Sequence, residues 1–137
     1  MQTLFTIQGL TAVITGGSGG LGKVMAQGLA QAGVRVAVVS LHAGTSSMVA
    51  EAIRADGGQA IGIACDVLDP AALERAQELI TGTFGPVDIL INAAGGNHPQ
   101  ATTSDEHTFF DLDPQAVNST LRYTRVVCTQ RATTSLL

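Results

Sequence analysis

Short runs of apolar residues alternate along the chain with segments in which apolar residues recur every three or four positions. Four such runs predict β-strands, over Leu10–Thr15, Val34–Val39, Ala60–Cys65 and Val87–Ile91. Their nearly continuous Val and Ile content is typical of a parallel sheet that is covered on both faces.

The three segments between these runs predict helices. In the first helix, Leu21, Val24, Met25 and Leu29 form an apolar stripe, and the Leu21/Met25/Leu29 face is expected to lie in the core. The second helix carries Met48, Val49, Ala52 and Ile53 and ends at Gly57-Gly58. The third begins at Pro70, with Asp69 as its N-cap, and ends near Gly82–Gly85.

This β-α-β-α-β-α-β order predicts the fold class. Right-handed crossovers convert it into a Rossmann-like, doubly wound α/β fold with a parallel sheet and flanking helices. Ligands of such folds bind in the crevice at the carboxyl ends of the strands.

Composition and charge limit the possible functions. The chain has 137 residues, which suits one domain, and only 13% of them are charged. No apolar stretch approaches the ~18 residues of a membrane helix, and the start lacks the basic region of a signal peptide, so a cytoplasmic protein is expected. Residues 1–117 carry a net charge of −7 and residues 118–137 carry +3. The acidic body argues against nucleic-acid binding.

Neither the cysteines nor the acidic loop predicts a metal site. Cys65 and Cys128 are too far apart in the sequence to form a metal-spaced pair and are expected to be buried or free thiols. A further set of polar residues is interpreted as a solvated loop with capping residues: His98, Asp105, Glu106, His107, Asp111 and Asp113.

The stretch VITGGSGGLGK, residues 13–23, carries the strongest chemical signal. Here a predicted strand ends at Thr15 and glycines lead into a helix. Without a Cβ atom, Gly16, Gly20 and Gly22 are expected to allow positive φ angles and the close approach of a diphosphate. The free N–H groups and the positive dipole end of the helix would bind that diphosphate. An ordinary glycine-rich turn is the alternative, but the strand-to-helix context favours a nucleotide.

Three motifs in order resemble those of the short-chain dehydrogenase/reductase family. They are Thr15-Gly16-x-x-x-Gly20-x-Gly22, the Asp66-Val67 pair of CDVLD, and NAAG at Asn92–Gly95. The resemblance implies a strand order of 3-2-1-4, an Asp66 bond to the adenine amino group, and packing of Val67 on the ring. It also implies that Asn92 braces the sheet while Ala93–Gly95 line the cofactor. The cofactor-binding residues implied in total are Thr15, Gly16, Ser18, Gly19, Gly20, Leu21, Gly22, Ser40, Leu41, Asp66, Val67, Asn92, Ala93, Ala94 and Gly95.

A finer resemblance covers residues 84–103 and 109–114, which are similar to the D-mannonate oxidoreductase (fructuronate reductase) subgroup. It implies an ancestral reduction of a keto sugar acid such as fructuronate to mannonate. The family pattern runs from about residue 8 to 117. We therefore expect a dinucleotide-binding half-domain over 1–117 and an atypical, possibly helical tail over 118–137. This tail is interpreted as the product of a frameshift or rearrangement, or as a short form evolved as such.

The end of the second strand bears on which cofactor binds. An NAD-selective site places a carboxylate there, whereas this chain has Ser40, Leu41 and His42. A Ser40 hydroxyl can donate to a 2′-phosphate, and a protonated His42 would add charge. The sequence thus favours NADP(H) over NAD(H).

The catalytic residues that the family resemblance implies are missing from this chain. Its one tyrosine, Tyr123, is followed four residues later by Val127, and its one lysine, Lys23, lies in the glycine loop. Serine is absent from residues 105–118, and Asn118 comes too early for the family's relay asparagine, whose place is taken by Thr124. We expect an oxidoreductase by ancestry that retains part of its cofactor binding and lacks turnover alone. A non-catalytic nucleotide-sensing or partner-binding module is the alternative, and an enzyme completed by a partner chain is the third.

A strand order of 3-2-1-4 leaves the fourth strand, VDILI, at an edge of the sheet. Exposed apolar strand edges pair readily with other chains. Self-association through this edge or through the tail is therefore expected.

Overall fold

The structure, a computed structural model, describes residues 5–95 and 99–119. The chain divides into two compact units, Met1–Ala93 and Ala94–Leu137. The first unit holds every strand of the sheet. Tyr123, Thr124, Val127, Cys128 and the other residues from 120 onward lie outside the described residues, as does His98.

The first unit is a four-stranded parallel sheet in the order β3-β2-β1-β4, as predicted. The strands are β1 (Thr11–Thr15), β2 (Arg35–Ser40), β3 (Gln59–Ala64) and β4 (Ile89–Asn92), and the helices are α1 (Gly20–Gln31), α2 (Ala43–Ala55) and α3 (Pro70–Phe84). Each predicted strand is present, with bounds shifted by one or two residues. Helix α2 begins five residues before its apolar stripe, because its first turn is polar.

Two apolar clusters cover the two faces of the sheet. Successive residues of a strand point to opposite faces, so neighbours in β1 belong to different clusters. Ile14 packs with residues of α1 and α2, among them Ala26 and Ile53. Val13 packs with α3 through Ala76 and Ile80. The sheet is thus buried between helices on both sides.

The predicted core stripe of α1 is wrong at its first turn. Leu21 is 73% exposed and Val24 is 64% exposed, whereas Gly22 and Ala26 are buried. Met25 and Leu29 are partly buried and pack against the core, as expected. Small residues occupy the innermost positions of α1 because the helix start lies against the glycine loop.

The start of α3 agrees with the prediction. Pro70 occupies the first turn, and the Asp69 carboxylate accepts a hydrogen bond from the Ala71 N–H at 3.0 Å. The helix ends at Phe84, and Gly85 follows with φ = +84°. The predicted cap and the glycine stop therefore both have a physical basis in the structure.

Glycine at position 62 lets α2 approach β3 closely. A Cβ atom there would lie 2.6 Å from both the carbonyl carbon and the oxygen of Ser46. Both atoms belong to the backbone, so the helix itself would have to move. This glycine is a packing requirement of the fold.

In the second unit, the acidic residues cap short helical turns. The turn Phe109–Asp111 begins after Thr108, whose N–H and hydroxyl both donate to Asp111 Oδ2, at 2.9 and 2.6 Å. These hydrogen bonds lower the pKa of Asp111 below its ordinary value. Asp113 Oδ1 accepts from the N–H of Gln115, at the start of the helical segment over 114–119. The acidic loop is thus held by capping bonds, as interpreted from the sequence.

Within 5–95 and 99–119, no three His, Cys, Asp or Glu side chains are grouped so that they could hold a metal ion. In the same part of the chain, no helix is long and apolar enough to cross a membrane.

Candidate dinucleotide site

The carboxyl ends of the strands form one connected edge. Backbone hydrogen bonds link the segments that follow three of the strands to the strand beside them. The N–H of Gly17 donates to Val39 O at 3.1 Å, that of Cys65 to Ser40 O at 2.8 Å, and that of Ala93 to Thr15 O at 3.0 Å. The predicted site residues of the first unit therefore lie side by side at the edge where ligands of parallel α/β sheets bind.

The glycine loop folds back onto the start of α1. Gly16 has φ = +66°, and its carbonyl accepts a hydrogen bond from the N–H of Gly19 at 3.1 Å. Gly19 is the N-cap, and no side chain caps the helix start. The first intrahelical bond runs from Lys23 N to Gly19 O at 2.8 Å, so the N–H groups of the first turn have no acceptor within the helix. These groups, with the helix dipole, attract an anion.

Gly16 is the loop residue with a positive φ; the expectation of positive φ at Gly20 and Gly22 is wrong. Gly22 is needed for another reason, since its Cβ would lie 2.4 Å from Gly16 O. A Cβ on Gly20 would meet nothing within 4 Å, so that position faces open space.

The role of Gly17 was not predicted from the sequence. A Cβ there would lie 2.9 Å from Val38 Cγ1 and 3.0 Å from Ile14 O. The glycine repeat marks the loop as tight, but it carries no signal for which glycine touches the neighbouring strand.

On the β3 side, Asp66 is held by a local turn. Its Oδ1 accepts from the N–H of Leu68 at 2.9 Å, and its carbonyl accepts from Asp69 N at 3.0 Å. The carboxylate is thus oriented by its own backbone. Val67 is 5% exposed, so its side chain offers little area to an adenine ring.

Cys65, which precedes these residues, is buried and not in a disulfide, as expected. Burial raises the pKa of its thiol, and the carboxylates of Asp66 and Asp69 raise it further. The thiol is therefore unsuited to act as a nucleophile.

At the end of β2, Ser40 is not the donor that the sequence suggested. It is 6% exposed, and its Oγ lies 2.9 Å from His42 O and 3.1 Å from Thr45 Oγ1. A hydroxyl has one hydrogen, and these contacts use it within the turn that begins α2. Leu41 and His42 are exposed. The part of the NADP(H) preference that rested on Ser40 loses its support.

Asn92 joins β4 to β1. It pairs in register with Thr15, and the Thr15 hydroxyl donates to Asn92 Oδ1 at 3.5 Å, which agrees with the bracing role that the resemblance implied. A second bond of this kind was not foreseen: the Thr11 N–H donates to Asp88 Oδ2 at 2.9 Å.

Ala94 and Gly95 follow β4 closely but belong to the second unit. The cofactor contacts of all fifteen predicted residues remain predictions.

The known proteins to which this chain is similar are dehydrogenases and other oxidoreductases. The sequence profile of the short chain dehydrogenases matches residues 10–133. An uncharacterized oxidoreductase, UxuB of Bacillus subtilis, is 50% identical over 115 residues, which are 78% of this chain and 41% of the relative. D-threitol dehydrogenase of Mycolicibacterium smegmatis is 37% identical over 91 residues, 66% of this chain and 35% of that enzyme.

Among solved structures, a protein described as a D-mannonate oxidoreductase from Haemophilus influenzae, with NAD bound, superposes with a TM-score of 0.83. It is 31% identical, and the match covers 89% of this chain and 47% of that one. The chain thus spans less than half the length of these relatives.

Proposed function

Because the chain belongs to the short-chain dehydrogenase family, we propose that it binds a nicotinamide dinucleotide at the carboxyl edge of its sheet. One observation carries this proposal: the glycine loop is folded so that Gly22 contacts the backbone of Gly16 and the first turn of α1 stays uncapped. A diphosphate placed there would accept bonds from the first N–H groups of α1. Asp66, oriented by Leu68, is the acceptor proposed for the adenine amino group.

We infer that the ancestral reaction is reduction of a keto sugar acid of the fructuronate type. The similarity of residues 84–103 and 109–114 to the D-mannonate oxidoreductase subgroup supports this substrate class. The cofactor, when bound, would supply hydride chemistry. The residues described above would bind and orient the cofactor, and none is placed to move a proton. In these 137 residues the family's tyrosine–lysine pair is absent, since the residue four positions after Tyr123 is Val127 and not a lysine. We therefore propose cofactor binding without turnover by this chain alone.

A nucleotide-sensing or partner-binding module is the second candidate. The observation that favours it is the sheet edge: among the described residues, the one strand that pairs with β4 is β1. Self-association through β4 is proposed on this ground. Sedimentation at tens of micromolar would reveal it as a species heavier than the 14.0 kDa chain, and a sharp monomer boundary would refute it.

The proposed function is tested by titrating NADPH and NADH into the purified chain and following nicotinamide fluorescence. The chain has no tryptophan, so the protein contributes little background. We expect saturable enhancement that Gly22→Ala weakens and Gly28→Ala leaves intact, because a Cβ on Gly28 meets nothing within 4 Å. Circular dichroism of both variants checks that the fold is kept. The absence of saturation at millimolar nucleotide would refute the proposal.

A further inference from the structure

We propose that a cleft between the C-terminal ends of α1 and α2 binds a small organic cation with a guanidinium group. The cleft lies where these helices end and the chain turns into β2 and β3, at the opposite end of the strands from the glycine loop. Residues from two stretches, 27–33 and 53–58, line it, and its volume is about 390 Å³. This volume is within the roughly 300–1,000 Å³ of small-molecule sites.

The cleft is open because a glycine ends each helix. Gly33 follows α1 with φ = +82°, and Gly57 follows α2 with φ = +87°. The N–H of Gly33 donates to Ala30 O and that of Gly57 to Arg54 O, both at 3.0 Å, so the chain leaves each helix in a tight turn. Since glycine has no side chain, neither turn fills the space between the helix ends.

The two helix ends are held close together at Gly58. A Cβ atom there would lie 2.8 Å from Ile53 Cγ2 of α2 and 3.2 Å from Ala30 Cβ of α1. Both helices therefore approach this one glycine closely. The C-terminal end of a helix carries a partial negative charge, so two such charges lie side by side at the cleft and favour a cation there.

The backbone groups free to bind a ligand in the cleft are acceptors of hydrogen bonds. The N–H groups of the two turns are used within the turns themselves, at Gly33, Asp56, Gly57 and Gly58. In the part of the chain that the structure describes, no group donates to the carbonyls of Gln31, Asp56 or Gly57. A ligand bound here would therefore have to supply the donors.

The side chains add negative charge. Asp56 lines the cleft, is exposed, and forms no ion pair with any described residue. None of the residues that line the cleft is basic. The nearest base along the chain, Arg54, does not line it and donates from its Nη1 to Ala60 O at 2.7 Å. The carboxylate of Asp56 is thus available to a cation from solution.

This combination selects a guanidinium rather than a metal ion. The acceptors are spread over both helix ends, and the side-chain amides of Gln27 and Gln31 add two more oxygens along α1. A guanidinium is planar, is always charged and has N–H donors that point in several directions, so it can reach acceptors on both sides. A hard divalent cation instead needs several oxygen ligands close together, and Asp56 is the one carboxylate in the lining.

The test is a titration of the full chain with butylguanidinium at constant ionic strength, followed by the backbone amide resonances of Gly33, Gly57 and Gly58. We expect saturable shifts of these three resonances with a dissociation constant in the millimolar range, because the cleft is open to solvent. Butylurea has nearly the same shape and no charge, and it should bind more weakly. N-acetyl-arginine amide identifies the source of the cation: binding as tight as that of butylguanidinium indicates the arginine side chain of a partner chain, and weaker binding indicates a free small molecule.

Three variants test the role of charge in the cleft. Asp56→Asn should raise the dissociation constant of butylguanidinium about two- to fivefold, the range of an exposed ion pair, and Gln31→Glu should lower it by a similar factor. Glu51→Gln is the matched control, since Glu51 is an exposed acid of α2 that does not line the cleft, and it should change nothing. Shifts that do not saturate at tens of millimolar, equal binding of butylurea, or equal constants in Asp56→Asn and Glu51→Gln would each overturn the proposal. Dinucleotide binding at the other end of the strands is independent of all these outcomes.

Discussion

Replacing Gly22 by alanine tests whether the glycine loop is held by direct contact with the start of α1. The chain offers a matched control, because Gly28 lies in the same helix and receives the same methyl group. A Cβ on Gly22 would lie 2.4 Å from Gly16 O and 2.9 Å from Gly17 Cα, whereas a Cβ on Gly28 would meet nothing within 4 Å. The two variants share the change in helix propensity and differ in this contact.

The magnitude follows from two opposing effects. Glycine in a helix interior is less favourable than alanine by roughly 0.5–1 kcal/mol, so Gly28→Ala should stabilise the fold by about that amount. At Gly22 the same gain is opposed by overpacking against backbone atoms, which typically costs about 1–3 kcal/mol. The contact has no flexible side chain that can yield. We therefore expect Gly22→Ala to be less stable than Gly28→Ala by about 1–3 kcal/mol.

The assay is urea unfolding of the three proteins, followed by far-ultraviolet circular dichroism. The midpoint should rise for Gly28→Ala and fall for Gly22→Ala, with the denaturant dependence unchanged. If the two variants are equally stable, the loop does not lie against the start of α1, and the diphosphate site is not preformed.

Three further predictions concern the fold and the second unit. Gly62→Ala should lower the free energy of unfolding by about 3 kcal/mol, because its methyl group would lie 2.6 Å from the backbone of α2. Gly82→Ala is the control and should stabilise the fold slightly, because a Cβ there meets nothing within 4 Å. Thermal melts of the two variants test this difference in stability. Asp88→Ala should cost about 1–3 kcal/mol in urea unfolding, because it leaves the fully buried Thr11 N–H without its acceptor; equal stability would refute that role. The pKa of Asp111 is lowered in the folded protein, so its capping bonds are complete above the ordinary aspartate value of 3.8 and are lost as the pH falls through the lower folded value. A carboxyl carbon resonance of Asp111 that titrates at or above 3.8 would contradict this.

The sequence predicts the fold well because its signals are local. Four runs rich in Val and Ile mark the strands, and Asp69 followed by Pro70 marks the start of α3, where the cap bond is present. The strand order, which came from the family resemblance, is also confirmed. An apolar stripe, however, does not say which flank of a helix is innermost. In α1 that flank is Gly22 and Ala26, two residues too small to stand out in the pattern.

The site is less predictable because its contacts join distant parts of the chain. The glycine pattern identifies the loop, but only the structure shows that Gly17 lies against Val38 and Gly22 against Gly16. Ser40 suggested a phosphate donor by its type and position, while its hydroxyl is used by the turn that it begins. Asp88 gave no signal, since its partner Thr11 is 77 residues away.

The strand order also has a consequence for the order of folding. The central strand β1 has one neighbour, β2, about 24 residues ahead along the chain, and another, β4, 77 residues ahead. The longer closure costs roughly 1 kcal/mol more in chain entropy. On a growing polypeptide, the pairing of β1 with β2 and of β2 with β3 can be complete before Asn92 is synthesised. In pulse-labelled hydrogen exchange, the β1 amide protons that bond to β2 should therefore gain protection before those that bond to β4.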